Sequence, residues 1–305
     1  MPSLRPLFRI LLFAAILLLP LSAGESYIRS VPNPSKAKHA HMKAHSEEID
    51  VLILGSSHTY YGIAPERISK RAYSLAQVSQ TLRYDDFLLH HYPMPNLRMV
   101  VLPISDFSLY EELEDGKEWY LANRYRLYMD CNIHPHLSVY DWEITSFPTY
   151  CEKLKQLWQP PRMHWSAYGQ GLEYTLAHRP TNWDNGEERA ASNTYTDLSR
   201  ATNGISHLES IARFCESNHV RLILLSTPLR PSYRQHQNAD QLADTHSRIQ
   251  QFLQRHPQTT YLDFSASPLF SANDFYDSDH LNTQGAQKLS LLVAQHTGMK
   301  SSELL

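Results

Sequence analysis

Ile49-Asp50-Val51-Leu52-Ile53-Leu54-Gly55-Ser56-Ser57-His58-Thr59-Tyr60-Tyr61-Gly62-Ile63 is the stretch on which the fold turns. Val51 to Leu54 form a continuous apolar run without the polar alternation of a half-solvated strand. The sequence therefore predicts a strand over 49–54 that is buried on both faces, as parallel strands are. Gly55 ends it, and the segment from Thr59 to Ile63 starts a helix.

Outward from that unit the same alternation repeats. Tyr73-Ser74-Leu75-Ala76 reads as a second, weaker strand, Met99 to Pro103 as a third, Val220 to Ser226 as a fourth and Thr260 to Phe264 as a fifth. Helical patterns run over 80–91, 205–218, 239–255 and 285–296. Strand and helix in alternation predict an α/β fold, a flavodoxin-like parallel five-stranded sheet with helices on both faces. Such sheets bind ligands beyond the carboxyl ends of their strands, which directs attention to the loops after Leu54, Pro103, Ser226 and Phe264. The exception is 105–205, where no strong strand is visible and where Trp119, Trp142, Trp158, Trp165 and Trp183 all lie. It reads as an inserted cap, its aromatics chiefly packing a small core of its own, with stacking on sugar rings the rarer use.

Hydrophobic residues make up 42% and charged residues 19% of 305 residues, with 10 Gly and 18 Pro, which excludes disordered, collagen-like and multi-span membrane chains. Lys and Arg number 28 against 31 acidic residues, and no basic block stands outside the extreme N-terminus, so no nucleic-acid partner is expected. Cys131, Cys151 and Cys215 form no CxxC pair; a Cys131–Cys151 bridge is left open, and Cys215 reads as a small core residue.

Arg5 and Arg9 precede an uncharged stretch over 10–24 that Glu25 ends. This is an export signal. Leu7 and Phe8 lengthen it toward a span if Arg9 snorkels, whereas Ser22-Ala23-Gly24 offers a cleavage site. A retained membrane anchor is the preferred reading and a cleaved signal peptide the alternative; both make the remainder extracytoplasmic, in the periplasm or cell envelope. The expected organisation is 1–30 signal or anchor, 31–48 polar spacer, 49–298 α/β domain with the insertion at 105–205, and 299–305 tail. His39, His41 and His45 on the spacer, and His134 and His136, lack carboxylates or cysteines at ligand spacing and are assigned to solvated faces, so no metal and no cofactor is expected.

Ser56 and Ser57 stand at the strand-to-helix turn, where a hydroxyl points into the cleft and helix amides can stabilise an oxyanion. A capping role is the plain alternative. Near the C-terminus, Tyr276-Asp277-Ser278-Asp279-His280-Leu281-Asn282 leads into the last helix. Asp277 three residues before His280 fits a carboxylate orienting an imidazole base, which completes a Ser-His-Asp set. An imidazole base must be neutral, so activity is expected to fall below about pH 6 to 7. Arg230 and Arg234, after the fourth strand, are candidates for an anionic substrate.

On these two blocks the chain resembles the SGNH, or GDSL-like, hydrolase superfamily. More narrowly, GSSHTYYGI, SLAQVSQTLRYDDFLL and YDSDHLNTQGAQKLS are similar to bacterial membrane-anchored envelope proteins that assist O-acylation of surface polymers. The resemblance implies Ser57 as nucleophile, Asp277 and His280 as its partners, and oxyanion donors at Ser57, Ser79 and Gln80. It also implies an esterase or O-acyltransferase that works on an acylated glycan or small acyl ester, with a multi-span membrane acyltransferase as partner. Two departures stand out. Ser79-Gln80 replaces the family's glycine, and Pro103-Ile104-Ser105-Asp106 lacks the asparagine of the third block, so Gln80's side-chain amide is the candidate substitute donor. The incomplete set equally fits a non-catalytic envelope module that binds glycan or an acyltransferase.

Overall fold

The computed structural model describes residues 5–133, 142–145, 147–155 and 164–298. His134, His136, Trp158 and the 299–305 tail lie outside the described residues. Two compact units are present, one made of residues 1–37 and 120–163, the other of residues 38–119 and 164–305.

In the first unit, helix α1 (Arg5–Ser30) is 26 residues long, enough to cross a membrane, and its apolar side chains from Leu7 to Leu21 are largely exposed. Its last turns are packed, with Glu25 and Ile28 buried. The Glu25 carboxylate takes hydrogen bonds from the backbone amides of Glu143 (3.0 Å) and Ile144 (2.9 Å) and pairs with Arg29 at 2.5 Å. Helices α5 (Ala122–Tyr128) and α6 (Phe147–Lys155) belong to the same unit, where Glu143 accepts from Tyr128 Oη (2.6 Å) and Lys153 Nζ (2.5 Å). Cys131 and Cys151 are free thiols, so the bridge left open by their spacing is not made; Cys215 is buried.

The second unit is built on five parallel strands: β1 (Val51–Ile53), β2 (Ala72–Ser74), β3 (Met99–Pro103), β4 (Arg221–Ser226) and β5 (Thr260–Asp263), in the order β2-β1-β3-β4-β5. This is the five-stranded α/β sheet that the sequence predicts. β1 is shorter than the apolar run, yet its pairing continues beyond it, with Leu54 N–H bonded to Val101 O (2.9 Å) and Leu75 N–H to Ile53 O (2.8 Å). Val51, Ile53, Met99, Val101, Ile223 and Leu225 share one core with Tyr60, Leu289 and Val293. The alternating residues Leu52, Val100, Leu102, Leu222 and Leu224 are no more than 3% exposed, so both faces are covered. α3 (Ser57–Gly62) packs on α11 (Thr283–Thr297), and α4 (Leu82–His91) on α8 (Ala201–Ser217). The outer edge of β2 is met by Ser74 N–H bonding Tyr168 O (2.9 Å), a backbone cover over a sheet edge.

Helix α2 (Pro34–His45), in the stretch expected to be a solvated spacer, buries Met42 and Lys38 completely. Lys38 Nζ donates to the Ala76 carbonyl and lies 4.5 Å above the Tyr60 ring. His41 stacks on Tyr73 at 3.9 Å, so one face of its ring packs against the sheet while the residue stays half-buried.

Candidate active site

With β1 and β3 adjacent and the chain diverging to β2 on one side and β4 on the other, the strand order reverses between β1 and β3, where such sheets form their ligand crevice. Gly55 makes the exit from β1. Its φ of +105° is a region closed to residues with a Cβ, and a Cβ there would fall 2.0 Å from Pro103 Cγ. Its N–H donates to Asp85 Oδ1 (2.7 Å). Ser56 is then extended, and Ser57 opens α3.

The second half of the site is a tight hairpin. Phe275 and Leu281 bridge antiparallel, and Tyr276 N–H bonds the His280 carbonyl (2.9 Å). Asn282 clamps it: its amide donates to the carbonyls of Asn273 (2.7 Å) and Phe275 (3.1 Å), and its oxygen caps α11 at Gln284 and Gly285. Within the hairpin, Asp277 Oδ1 accepts from the backbone amides of Asp279 (3.1 Å) and His280 (2.8 Å), which fixes the carboxylate beside its own imidazole.

The two halves meet. Ser57 Oγ lies 2.8 Å from His280 Nε2 across 223 positions of sequence, and the other ring nitrogen, Nδ1, is 3.0 and 3.1 Å from the Asp277 carboxylate oxygens. An alcohol, an imidazole and a carboxylate in this line can move a proton from Ser57 to His280.

Three further residues, to which the motifs assign no catalytic role, join them. Asp279, fully buried, places Oδ1 3.3 Å from the same Nδ1 of His280. Arg189, on α7 (Gly186–Ser192), grips Asp279 through both arms of its guanidinium, at 2.9 and 2.8 Å. The buried His58 ring stacks on His280 with centroids 4.5 Å apart, and its Nε2 is 3.4 Å from Asp279. Only the acidic doublet of Asp-Ser-Asp-His was a local signal. Arg189 lies in the insertion, 90 residues from its partner.

Charge follows from this arrangement. Burial alone would depress the His280 pKa, but the facing carboxylates of Asp277 and Asp279 override it and raise the value to about 10. Burial works to raise the Asp279 pKa, yet His280, His58 and Arg189 together hold it well below the ordinary carboxylate range. Burial first, and the neighbouring His280 charge second, depress His58, which favours its neutral form. His58, Asp279 and His280 offer three potential metal-ligand atoms within 4.8 Å of one another, but the Arg189 guanidinium already supplies the cation to both Asp279 oxygens.

The expected oxyanion donors separate. Ser79 has φ +56°, a left-handed backbone that glycine adopts most readily, and its hydroxyl bonds Glu118. Gln80 does not serve as expected: its side-chain amide is buried and bonded to Asp85 Oδ1 (2.5 Å), and its backbone N–H is taken by Gln77 O (3.2 Å). Arg230 is also diverted, paired with Asp184 at 3.0 Å with its guanidinium carbon 5.2 Å from the Trp183 ring, so it is not offered to a ligand as an unpaired cation. Arg234 lines a separate cavity at the carboxyl ends of β3, β4 and β5. A wall of stacked tyrosines, Tyr61 on Tyr174 (3.7 Å) and Tyr174 on Tyr276 (3.8 Å), reaches the site, with Tyr174 edge-on to His280 at 5.4 Å.

No curated protein matches the sequence. A protein-family model matches residues 185–301, less than half of the chain. Solved structures with related topology include a protein assigned as an acylhydrolase from Bacteroides fragilis, at 12% identity over 85% of this chain and 96% of that one, TM-score 0.41. A GDSL-like lipase from Bacteroides thetaiotaomicron matches at 12% identity over 87% and 98%, TM-score 0.44. A protein assigned as an arylesterase from Agrobacterium tumefaciens matches at 12% identity over 82% and 98%, TM-score 0.37. At these scores the likenesses add nothing to the five-stranded α/β architecture that the strand order already establishes.

Proposed function

We propose that the chain is a membrane-anchored, extracytoplasmic serine esterase or O-acyltransferase of SGNH type that acts on acyl esters of a cell-envelope glycan. The observation that carries this reading is the 2.8 Å approach of Ser57 Oγ to His280 Nε2, with Asp277 on the opposite ring nitrogen.

In the first half-reaction Ser57 gives its proton to His280 Nε2 as Oγ attacks the acyl carbonyl. The tetrahedral oxyanion is met by the backbone amides of Ser57 and Ser79. As the ester C–O bond breaks, the leaving alkoxide takes the proton back from His280, and the acyl group remains on Ser57. In the second half His280 removes a proton from water or from a glycan hydroxyl, that oxygen attacks the acyl carbonyl, and Ser57 leaves with the proton. Water gives hydrolysis and a hydroxyl acceptor gives transfer. The diversion of Gln80 to Asp85 leaves the oxyanion site one donor short, a loss of about 10²- to 10³-fold in rate, which fits an enzyme that depends on an acyltransferase partner.

The test uses the full-length chain in detergent with a fluorophosphonate probe and p-nitrophenyl acetate. Labelling and p-nitrophenol release are expected, both abolished by Ser57→Ala; labelling that persists in the variant reassigns the nucleophile. The same missing donor favours a second reading, a non-catalytic envelope module that binds glycan or a membrane acyltransferase. Absence of labelling in the unmutated chain supports that reading.

A further inference from the structure

Of the two arginines placed after β4, Arg230 is committed to Asp184, and Arg234 stands on the wall of a cavity of about 310 Å³. The cavity opens at the carboxyl ends of β3, β4 and β5, between the loops that follow them and α10 (Ala239–Arg255). Its volume sits at the low end of the range of about 300–1,000 Å³ usual for small-ligand sites.

Five of its polar lining side chains, Ser105, Thr227, Arg234, His246 and Ser265, make no hydrogen bond or ion pair among the described residues. Arg234 and His246 are exposed at the rim. Thr227 is only 5% exposed, and its hydroxyl, without a protein partner, lines the cavity. Other polar groups of the wall are bonded within the protein. Ser226 Oγ donates to the Ile104 carbonyl (2.7 Å) and lies 2.8 Å from Tyr261 Oη. Asp106 is half-buried, desolvation of its carboxyl raises its pKa, and the carboxylate is held by Gln237 and Tyr233. The carboxylate that remains at the exposed rim is Asp263, which accepts from the Ser265 amide at 2.9 Å.

A guanidinium, a carboxylate, an unpartnered hydroxyl and an aliphatic wall of Leu229, Leu242 and Ile249 make a set with a definite complement. Asp263 and Thr227 suit ring hydroxyls, the aliphatic wall suits the C–H face of a pyranose, and Arg234 suits a carboxylate or phosphate on the ring. The wall is tied to the candidate active site. Leu229 N–H bonds Ser265 O (3.1 Å), and Arg230 N–H bonds the carbonyl of Ser278, between Asp277 and Asp279 (2.9 Å). On the β3 side, Phe107, next to Asp106, lies 5.5 Å from the His58 ring that stacks on His280.

We propose that this cavity binds one sugar-sized, hydroxylated anion, a sugar bearing a carboxylate or a phosphate, as the recognition unit of an anionic glycan. The assignment of that unit to the substrate rests on the function proposed above; the binding itself does not.

The experiment is calorimetric titration of the full-length chain in detergent with glucuronate, glucose 6-phosphate and glucose as probes. Binding of at least one anion is expected with a dissociation constant on the order of 1 mM, weakened at least about 10-fold by Arg234→Gln and several-fold by Thr227→Val, and unchanged by Ser57→Ala. Tighter binding of glucuronate identifies the carboxylated class, tighter binding of glucose 6-phosphate the phosphorylated one. Equal binding of glucose, binding indifferent to Arg234→Gln and Thr227→Val, or no binding by any probe overturns the proposal. Arg234-dependent binding in a chain that no fluorophosphonate labels leaves the cavity assignment standing and removes the catalytic one.

Discussion

Arg189 closes both of its guanidinium arms on the buried carboxylate of Asp279, at 2.9 and 2.8 Å, and Asp279 in turn lies 3.3 Å from His280 Nδ1. Two carboxylates therefore flank one imidazole, and the arginine decides how much of the second charge the imidazole feels. Arg189→Gln leaves Asp279 buried without its cation. The expected cost is roughly 3 kcal/mol, the low end for breaking a buried pair because the Arg189 side chain keeps 34% exposure. Urea unfolding of the variant measures it, and an unchanged midpoint refutes the role given to the pair.

The same charges set the pH behaviour. The folded-state pKa of His280 is raised to about 10, above that of a free imidazole near 6.5. A base must be neutral to accept the Ser57 proton, so the fluorophosphonate labelling rate is expected to climb through pH 8 to 10, not to level off above pH 7 as an unperturbed histidine would give. Stability runs the other way. A raised pKa contributes stability that is full below about pH 6.5 and lost as pH rises through about 10. A labelling profile that is flat from pH 7 to 10 rules this out.

Asp277 is not the only carboxylate within reach of Nδ1. Substituting the single orienting carboxylate of a triad costs about 10⁴-fold, but here Asp279 Oδ1 at 3.3 Å stands in reserve. Asp277→Asn is therefore expected to slow labelling by only about 10- to 100-fold, and Asp277→Asn with Asp279→Asn by about 10⁴-fold. Stopped-flow or gel-based labelling rates of both variants decide the point; equal losses would contradict it.

The N-terminal helix is expected to be retained. α1 runs without a break through Ser22-Ala23-Gly24, and Glu25 and Ile28 just beyond are buried, with Glu25 accepting the amides of Glu143 and Ile144. Intact mass of the chain recovered from a membrane fraction is expected to include the residues before Gly24; a mature N-terminus at Gly24 or Glu25 would show that the signal is cut.

What the sequence determined by itself was everything carried by short-range pattern. An apolar run ending in Gly55 specifies a buried strand and a sharp exit because only glycine takes φ +105° with Pro103 so close. Period and length alone separated β3 and α10, whose bounds fall where Met99-Val100-Val101-Leu102-Pro103 and Ala239 to Arg255 place them. Ser57, Asp277 and His280 were legible because each sits in a local motif at an element boundary. Tertiary structure decided the rest. Strand order, the pairing of Arg189 with Asp279, the stacking of His58 on His280 and the turning of Gln80 away to Asp85 all depend on which distant segments the sheet brings side by side. No local periodicity encodes a contact across 90 positions, and the charge on a buried imidazole is fixed only by the groups that end up facing it.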